Sequence, residues 1–112
     1  MKQTSNQVVK SADVIGKKVI GTDKENLGKI EEIVLDKISG QVRYAVLSFG
    51  GFLGINTDYY AIPWKSLSYC SEYEAFEINI DKSKLKSAQS FNKDNWPDFA
   101  DEYTRSIDDF YK

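Results

Sequence analysis

The chain of 112 residues contains no histidine. That removes the commonest general base, the commonest metal ligand and every Ser-His or Cys-His nucleophile arrangement. Cys70 is the single cysteine, so no intrachain disulfide can form and no cysteine pair can hold zinc. One thiol fits a reducing compartment. At a hydrophobic strand position it reads as packing rather than as a reactive nucleophile. Long apolar runs are also missing. The longest clearly apolar stretch, residues 44–47, is far short of the ~20 residues a membrane-spanning helix needs. Residues 1–10 are polar apart from Val8-Val9, so they cannot supply the apolar segment of a signal peptide. They read as a disordered leader, and the chain is expected to be cytoplasmic. An excess of positive charge is lacking as well. The net charge of −2 argues against a general nucleic-acid binder.

What is present suits one domain with a single core. The hydrophobic fraction is 41% and the charged fraction 29%. Charge is unevenly placed. Residues 92–112 carry three basic and six acidic side chains, so the acidic part is the C-terminal end. An acidic helical segment reads first as a solvated face and second as a docking element.

Periodicity gives a mainly β reading. Ser11 can cap one helical turn that Gly16 ends. Residues 17–22 form a short strand, followed by a polar turn at residues 23–26. Residues 27–36 form a long strand whose alternation breaks between Ile30 and Ile33. A bulge near Glu31-Glu32 would turn Ile30, Ile33 and Leu35 inward. Residues 41–49 are apolar on both parities, which implies burial on both faces. Residues 58–63 form the next strand, ended by Pro63, and residues 64–67 a single helical turn. Residues 68–70 and 75–80 form a final hairpin. Asp81 caps a short helix through Ala88, with Ile80 and Leu85 as a hydrophobic staple. Asp98 opens a second helix to about Tyr111, in which Asp101 and Arg105 make an i,i+4 pair. Asp108 and Asp109 sit at the unfavourable end of its dipole. Phe99, Tyr103, Ile107 and Phe110 form one apolar stripe along it.

Several patterns invite chemistry and decline it. Glu31-Glu32 are adjacent on a strand, so their carboxylates diverge unless a bulge intervenes. The acidic residues of the C-terminal end lack the glycine and terminal glutamate of a calcium loop. The loop Gly50-Gly51-Phe52-Leu53-Gly54-Ile55 runs from strand to strand and offers no lysine or hydroxyl at phosphate-reading positions. Its apolar residues either fold over the end of the sheet or enter a protein contact. Tyr59, Tyr60, Trp64, Tyr69, Tyr73 and Phe76 resemble a stacking platform, but only Lys65 lies among them, so they read as packing.

Six segments in order carry a family resemblance. They are Ala12-Asp13-Val14-Ile15-Gly16-Lys17-Lys18-Val19, Leu27-Gly28-Lys29-Ile30 with Ile33-Val34-Leu35-Asp36, Gly40-Gln41-Val42-Arg43-Tyr44-Ala45-Val46-Leu47-Ser48, the glycine loop at residues 50–55, Ala61-Ile62-Pro63-Trp64, and Asn95-Trp96-Pro97. Together the chain resembles the PRC-barrel family, in particular its free-standing bacterial members. These are related to the cytoplasmic domain of the photosynthetic reaction-centre H subunit. The membrane anchor of that subunit and the preceding domain of the ribosome maturation factor have no counterpart among these segments, so neither function transfers.

The resemblance implies a small β-barrel of five to six strands with short C-terminal helices. The barrel occupies residues 11–91 and an amphipathic helical extension residues 92–112. It implies a homodimer and roles in protein association and stress. The leading expectation is a non-catalytic, self-associating interaction module that docks on another protein, without cofactor, metal or nucleic acid and without inserting into a membrane. The candidate interaction surface is Phe52, Leu53, Ile55, Trp96, Phe99, Tyr103, Ile107 and Phe110. The alternative is a barrel that binds a small ligand, or catalyses weakly, through carboxylates and tyrosines at one end. The expected core is Val19, Ile30, Ile33, Leu35, Val42, Ala45, Leu47, Ile62, Phe76 and Ile78.

Overall fold

Alternating apolar residues and a few turn-forming ones set out six strands in the computed structural model, which describes residues 8–50 and 57–112. A short helix α1 (Ser11–Val14) precedes β1 (Lys18–Ile20). Then come β2 (Asn26–Leu35), β3 (Val42–Phe49), β4 (Asp58–Pro63), β5 (Ser68–Cys70) and β6 (Ala75–Glu77). Helices α2 (Lys82–Lys86) and α3 (Asp101–Phe110) follow. Single 3₁₀ turns lie at Thr22–Lys24 and Trp64–Ser66. The strands form one mixed sheet in the order β4-β3-β2-β1-β6-β5. All pairs are antiparallel except β1 with β6. The pairing runs from β4 to β5 without joining those two edges to each other.

The expected bulge is present. Ile30 faces Leu47 and Glu32 faces Val46, which leaves Glu31 as the extra residue. The extra residue reverses parity, so Ile30 and Ile33 both turn to the same hydrophobic cluster. Leu35 is a correction. It is 56% exposed, and Ile33 and Val42 are only half-buried. The β2–β3 hairpin runs past the end of the core. A second irregularity, which leaves Arg43 unpaired between Tyr44 and Val42, twists the projecting end further. Asp36 builds the hairpin turn. Its Oδ1 accepts from the amides of Ile38 (2.9 Å) and Ser39 (3.0 Å). The remaining expected core residues, Val19, Ile30, Ala45, Leu47, Ile62, Phe76 and Ile78, are buried.

Gly28 is required by its place in the sheet. Its φ is +127°, and a Cβ there would collide with the Ser48 carbonyl on the neighbouring strand. Gly21 is held close to the Ile80 carbonyl in the same way. Its neighbour Thr22 donates its amide to that carbonyl at 3.0 Å.

Two hydrophobic clusters lie on opposite faces of β3. The inner one gathers Val19, Leu27, Ile30, Ala45, Leu47, Tyr60, Ile62, Phe76 and Ile78, with Leu85 of α2 closing it. The Asp81 cap and its staple form as expected. Asp81 Oδ1 accepts from the Lys84 amide at 2.9 Å, and Ile80, Leu85 and Ala88 are buried. The outer cluster holds Tyr44, Val46, Ala61, Phe91 and Ile107. Both parities of β3 are therefore buried, as its composition requires.

Candidate interaction surface

The residues expected to form an interaction surface divide into three groups. Phe52, Leu53 and Ile55 lie outside the described residues. Phe99, Tyr103, Ile107 and Phe110 lie on or just before α3, and all four pack against the chain's own sheet. Trp96 stands apart, 41% exposed, at the point where the chain leaves the sheet.

The sequence folds this way because the segment before α3 is pinned at one residue. Phe91 exchanges both backbone hydrogen bonds with Tyr59 of β4, Phe91 N to Tyr59 O at 2.9 Å and Tyr59 N to Phe91 O at 2.8 Å. This bridge covers part of the β4 edge, and Pro63 ends the same strand without a donor. The three rings around the bridge pack together. Tyr59 meets Phe91 edge-on at 5.8 Å and Trp96 at 5.7 Å, and Phe91 lies 5.0 Å from Trp96. Trp96 is thereby seated against the β4 edge by Tyr59 and Phe91.

The start of α3 differs from the sequence reading. Asp98 does not cap the helix. Its Oδ1 accepts from the Ala100 amide at 3.0 Å, closing a local turn. Phe99 then adopts φ +56°, and Ala100 takes the N-cap position without a side-chain acceptor. The helix therefore begins at Asp101. The expected Asp101–Arg105 pair is not among the ion pairs of the described residues. Asp109 instead pairs with Lys112 at 3.3 Å.

Once started, α3 lies across the outer face of β3 and β4. Ile107 is 1% exposed, in contact with Tyr44, Val46 and Ala61. Phe99 meets Tyr103 edge-on at 5.5 Å and lies tilted against Tyr44 at 6.1 Å. Phe110 and Tyr111 reach the inner cluster, and Tyr111 touches both.

Tyrosine hydroxyls accumulate under the helix. Tyr44 donates to Asp108 Oδ1 at 3.0 Å, which gives one of the two carboxylates at the unfavourable end of α3 a structural task. Burial, and then this carboxylate, push the Tyr44 hydroxyl above the ordinary phenol range. The hydroxyls of Tyr103 and Tyr111 are buried without a hydrogen-bond partner among the described residues. Burial pushes Tyr103 up to about 12 and Tyr111 further in the same direction. These groups stay neutral at any physiological pH, so they cannot serve as general bases.

A shallow groove of about 410 Å³ lies beside the start of α3, lined by Gln89, Asp98, Ala100, Glu102, Tyr103 and Ser106. Several of its polar groups already serve the structure. Gln89 Nε2 donates to Ser106 Oγ at 3.3 Å, and Ser106 Oγ donates to the Tyr103 carbonyl at 2.7 Å. Glu31 lies in the bulge, and Glu32 Oε1 accepts from the Ile33 amide at 3.2 Å. Cys70 is half-buried on β5. Among the described residues, no cluster of three or more carboxylate or cysteine side chains is placed to hold a metal. No helix among them is long and apolar enough to cross a membrane.

Sequence reasoning did not foresee Tyr59, Phe91, Tyr111 and Asp108 as parts of this surface. One signal was available. Tyr59 and Ala61 lie on the parity of β4 opposite Tyr60 and Ile62, so β4, like β3, is apolar on both faces and needs a cover. The contact of Asp108 with Tyr44 leaves no trace in the sequence.

The model of the PRC-barrel domain family matches residues 6–86 of this chain. The match takes in all six strands and α2, and ends before Phe91 and α3. No curated protein matches the chain at a significant level.

Proposed function

The chain belongs to the PRC-barrel family, and on that premise we propose that it is a non-catalytic, self-associating protein-interaction module. The observation that carries the reading is the filled interior. Leu27, Ile30, Leu47, Ile62 and Leu85 occupy the inside of the sheet, each no more than 1% exposed. A protein that works on a small molecule needs an apolar chamber with converging polar groups, and this volume is occupied by aliphatic side chains. Recognition then falls to the surface. There Tyr69 and Tyr73 stand 52% and 46% exposed on β5 and the turn after it, at a sheet edge that no described strand pairs, and Trp96 stands 41% exposed beside the other edge strand, β4. Half-exposed aromatics next to an open strand edge suit protein contact.

A closed barrel is part of the same proposal. Trp64, just after β4, packs at 5.4 Å on Phe76 of β6, so side chains bridge the gap that backbone pairing leaves open. The expected dimer, a second protein partner, a cytoplasmic setting and a stress-associated role complete the reading. Light scattering across a wide concentration range tests self-association. A mass of 12.8 kDa at every concentration rejects it.

The groove beside α3 favours a second reading, in which Asp98, Glu102 and Tyr103 hold a small cationic ligand. A thermal-shift titration with simple amines separates the two. A saturable rise in Tm that Glu102→Gln abolishes would support the ligand-binding reading, and no shift is expected under the first.

A further inference from the structure

α3 is attached in a way that strains its own connection while its docking contacts are independent of which copy supplies them. Phe99 sits at φ +56° between the local turn at Asp98 and the first residues of the helix. A bulky side chain rarely adopts that region, and its presence marks strain. The helix has no side-chain cap at Ala100, and two of the hydroxyls it buries, Tyr103 and Tyr111, lack partners. Against this it seals an apolar face of Tyr44, Val46, Ala61 and Phe91 that a soluble protein cannot leave open. The face demands a helix with this stripe. The connection disfavours receiving it from the same chain.

We propose that α3 is exchanged between two copies of this chain, each helix docking on the outer β3–β4 face of the other. The inference rests on the self-association reading and names its interface. Every contact of Ile107, Tyr103 and Phe110 with the sheet is kept in the exchanged form, as is the Tyr44–Asp108 hydrogen bond. Only the hinge at residues 97–100 differs. In the folded-back chain it must reverse direction through Phe99. In the exchanged dimer it continues extended, and two strained residues relax per dimer. Short hinges under strain promote this kind of exchange. The hinge of residues 97–100, drawn out, spans roughly 14 Å, so the exchange brings the two outer faces side by side, with Trp96 of each copy still seated on its own Tyr59 and Phe91.

The test uses the full chain. Isotope-labelled and unlabelled copies are mixed, incubated at high concentration and examined by filtered nuclear Overhauser spectroscopy. Contacts between labelled Ile107 methyl groups and unlabelled Tyr44 and Phe91 rings are expected. A dimer without such contacts overturns the exchange and leaves self-association standing, whereas a monomer at every concentration overturns both. A short glycine-serine insertion between Pro97 and Asp98 gives an independent reading. It lets α3 fold back without strain, so the dimer dissociation constant should rise roughly tenfold or more. Tyr111→Phe alters a contact common to both forms, and should change Tm while leaving that constant unmoved. An insertion that leaves the dissociation constant unchanged refutes the role of the hinge and the proposal with it.

Discussion

The inner face of β3 and its outer face are sealed by different chemistry. Inside, Ala45 and Leu47 lie mainly among aliphatic side chains contributed by strands and by α2, a helix with a side-chain cap and a staple. Outside, Tyr44 and Val46 lie under aromatic rings and a helix that lacks a side-chain cap. The inner seal draws its stability from apolar burial. The outer seal pairs burial with hydroxyl groups, one satisfied by Asp108 and two unsatisfied. One strand thus carries two seals of different make on its two sides.

The largest expected effect probes the firm side. Leu47→Ala should cost ~2–5 kcal/mol through lost transfer energy and a cavity, read by denaturant titration. Ile107→Ala removes a side chain just as buried, but α3 can leave while the inner core persists. Hydrogen exchange should therefore show α3 amides deprotected and β3 amides little changed. Equal loss of protection in both would erase the distinction between the two seals. Gly28→Ala comes next, with a cost above ~1 kcal/mol, because alanine is strained at positive φ and would meet the Ser48 carbonyl.

Tyr103→Phe and Tyr111→Phe should act in the opposite direction. Each removes an unpartnered buried hydroxyl whose burial costs about 1–3 kcal/mol, so Tm should rise while the inner face is unaffected. These tyrosines also predict an alkaline limit. The Tyr103 phenol moves from 10.0 to about 12 in the folded chain. The folded form holds its proton more tightly than the unfolded one. The associated stability is complete below pH 10 and is lost as pH rises toward 12. Tyr103→Phe should flatten that part of the Tm profile, and an unaltered profile would place the titrating group elsewhere. The smallest effect belongs to the projecting hairpin. Leu35→Ala should change stability by no more than ~0.5 kcal/mol, because Leu35 is more than half exposed.

The strands were legible in the sequence because each has a period or a punctuation mark of its own. The break between Ile30 and Ile33 located the bulge, and Asp81 with Ile80 and Leu85 located α2. The double-sided apolarity of β3 announced burial on both faces. Leu35 was misread because parity tells which face a residue shares but not how far the sheet extends beneath it. The start of α3 was misread because Asp98 can serve equally as a helix cap or as the head of a local turn. The positive φ of Phe99, a property of the assembled chain, decided for the turn. The stripe of Phe99, Tyr103, Ile107 and Phe110 was visible as a stripe. Its seat under Tyr44 and Phe91 was not, since those contacts join segments distant in sequence.

The parallel pairing of β1 with β6 has a consequence for the order in which the chain assembles. Antiparallel neighbours β2, β3 and β4 are successive in sequence and can zip together locally. β1 can join β2 locally, but its other edge pairs with β6, a strand made near the other end of the domain, and that pairing carries a large loop-closure entropy before any contact rewards it. The Gly21–Ile80 approach and the docking of α2 depend on the same closure. The rate-limiting step of folding should thus be the meeting of the first strand with the last. Substitutions at Val19 or Phe76 should then slow refolding more than substitutions of equal cost in the β3–β4 hairpin. A chain emerging from the ribosome would hold a four-stranded meander, β1 to β4, with its inner face uncovered until β6 is available.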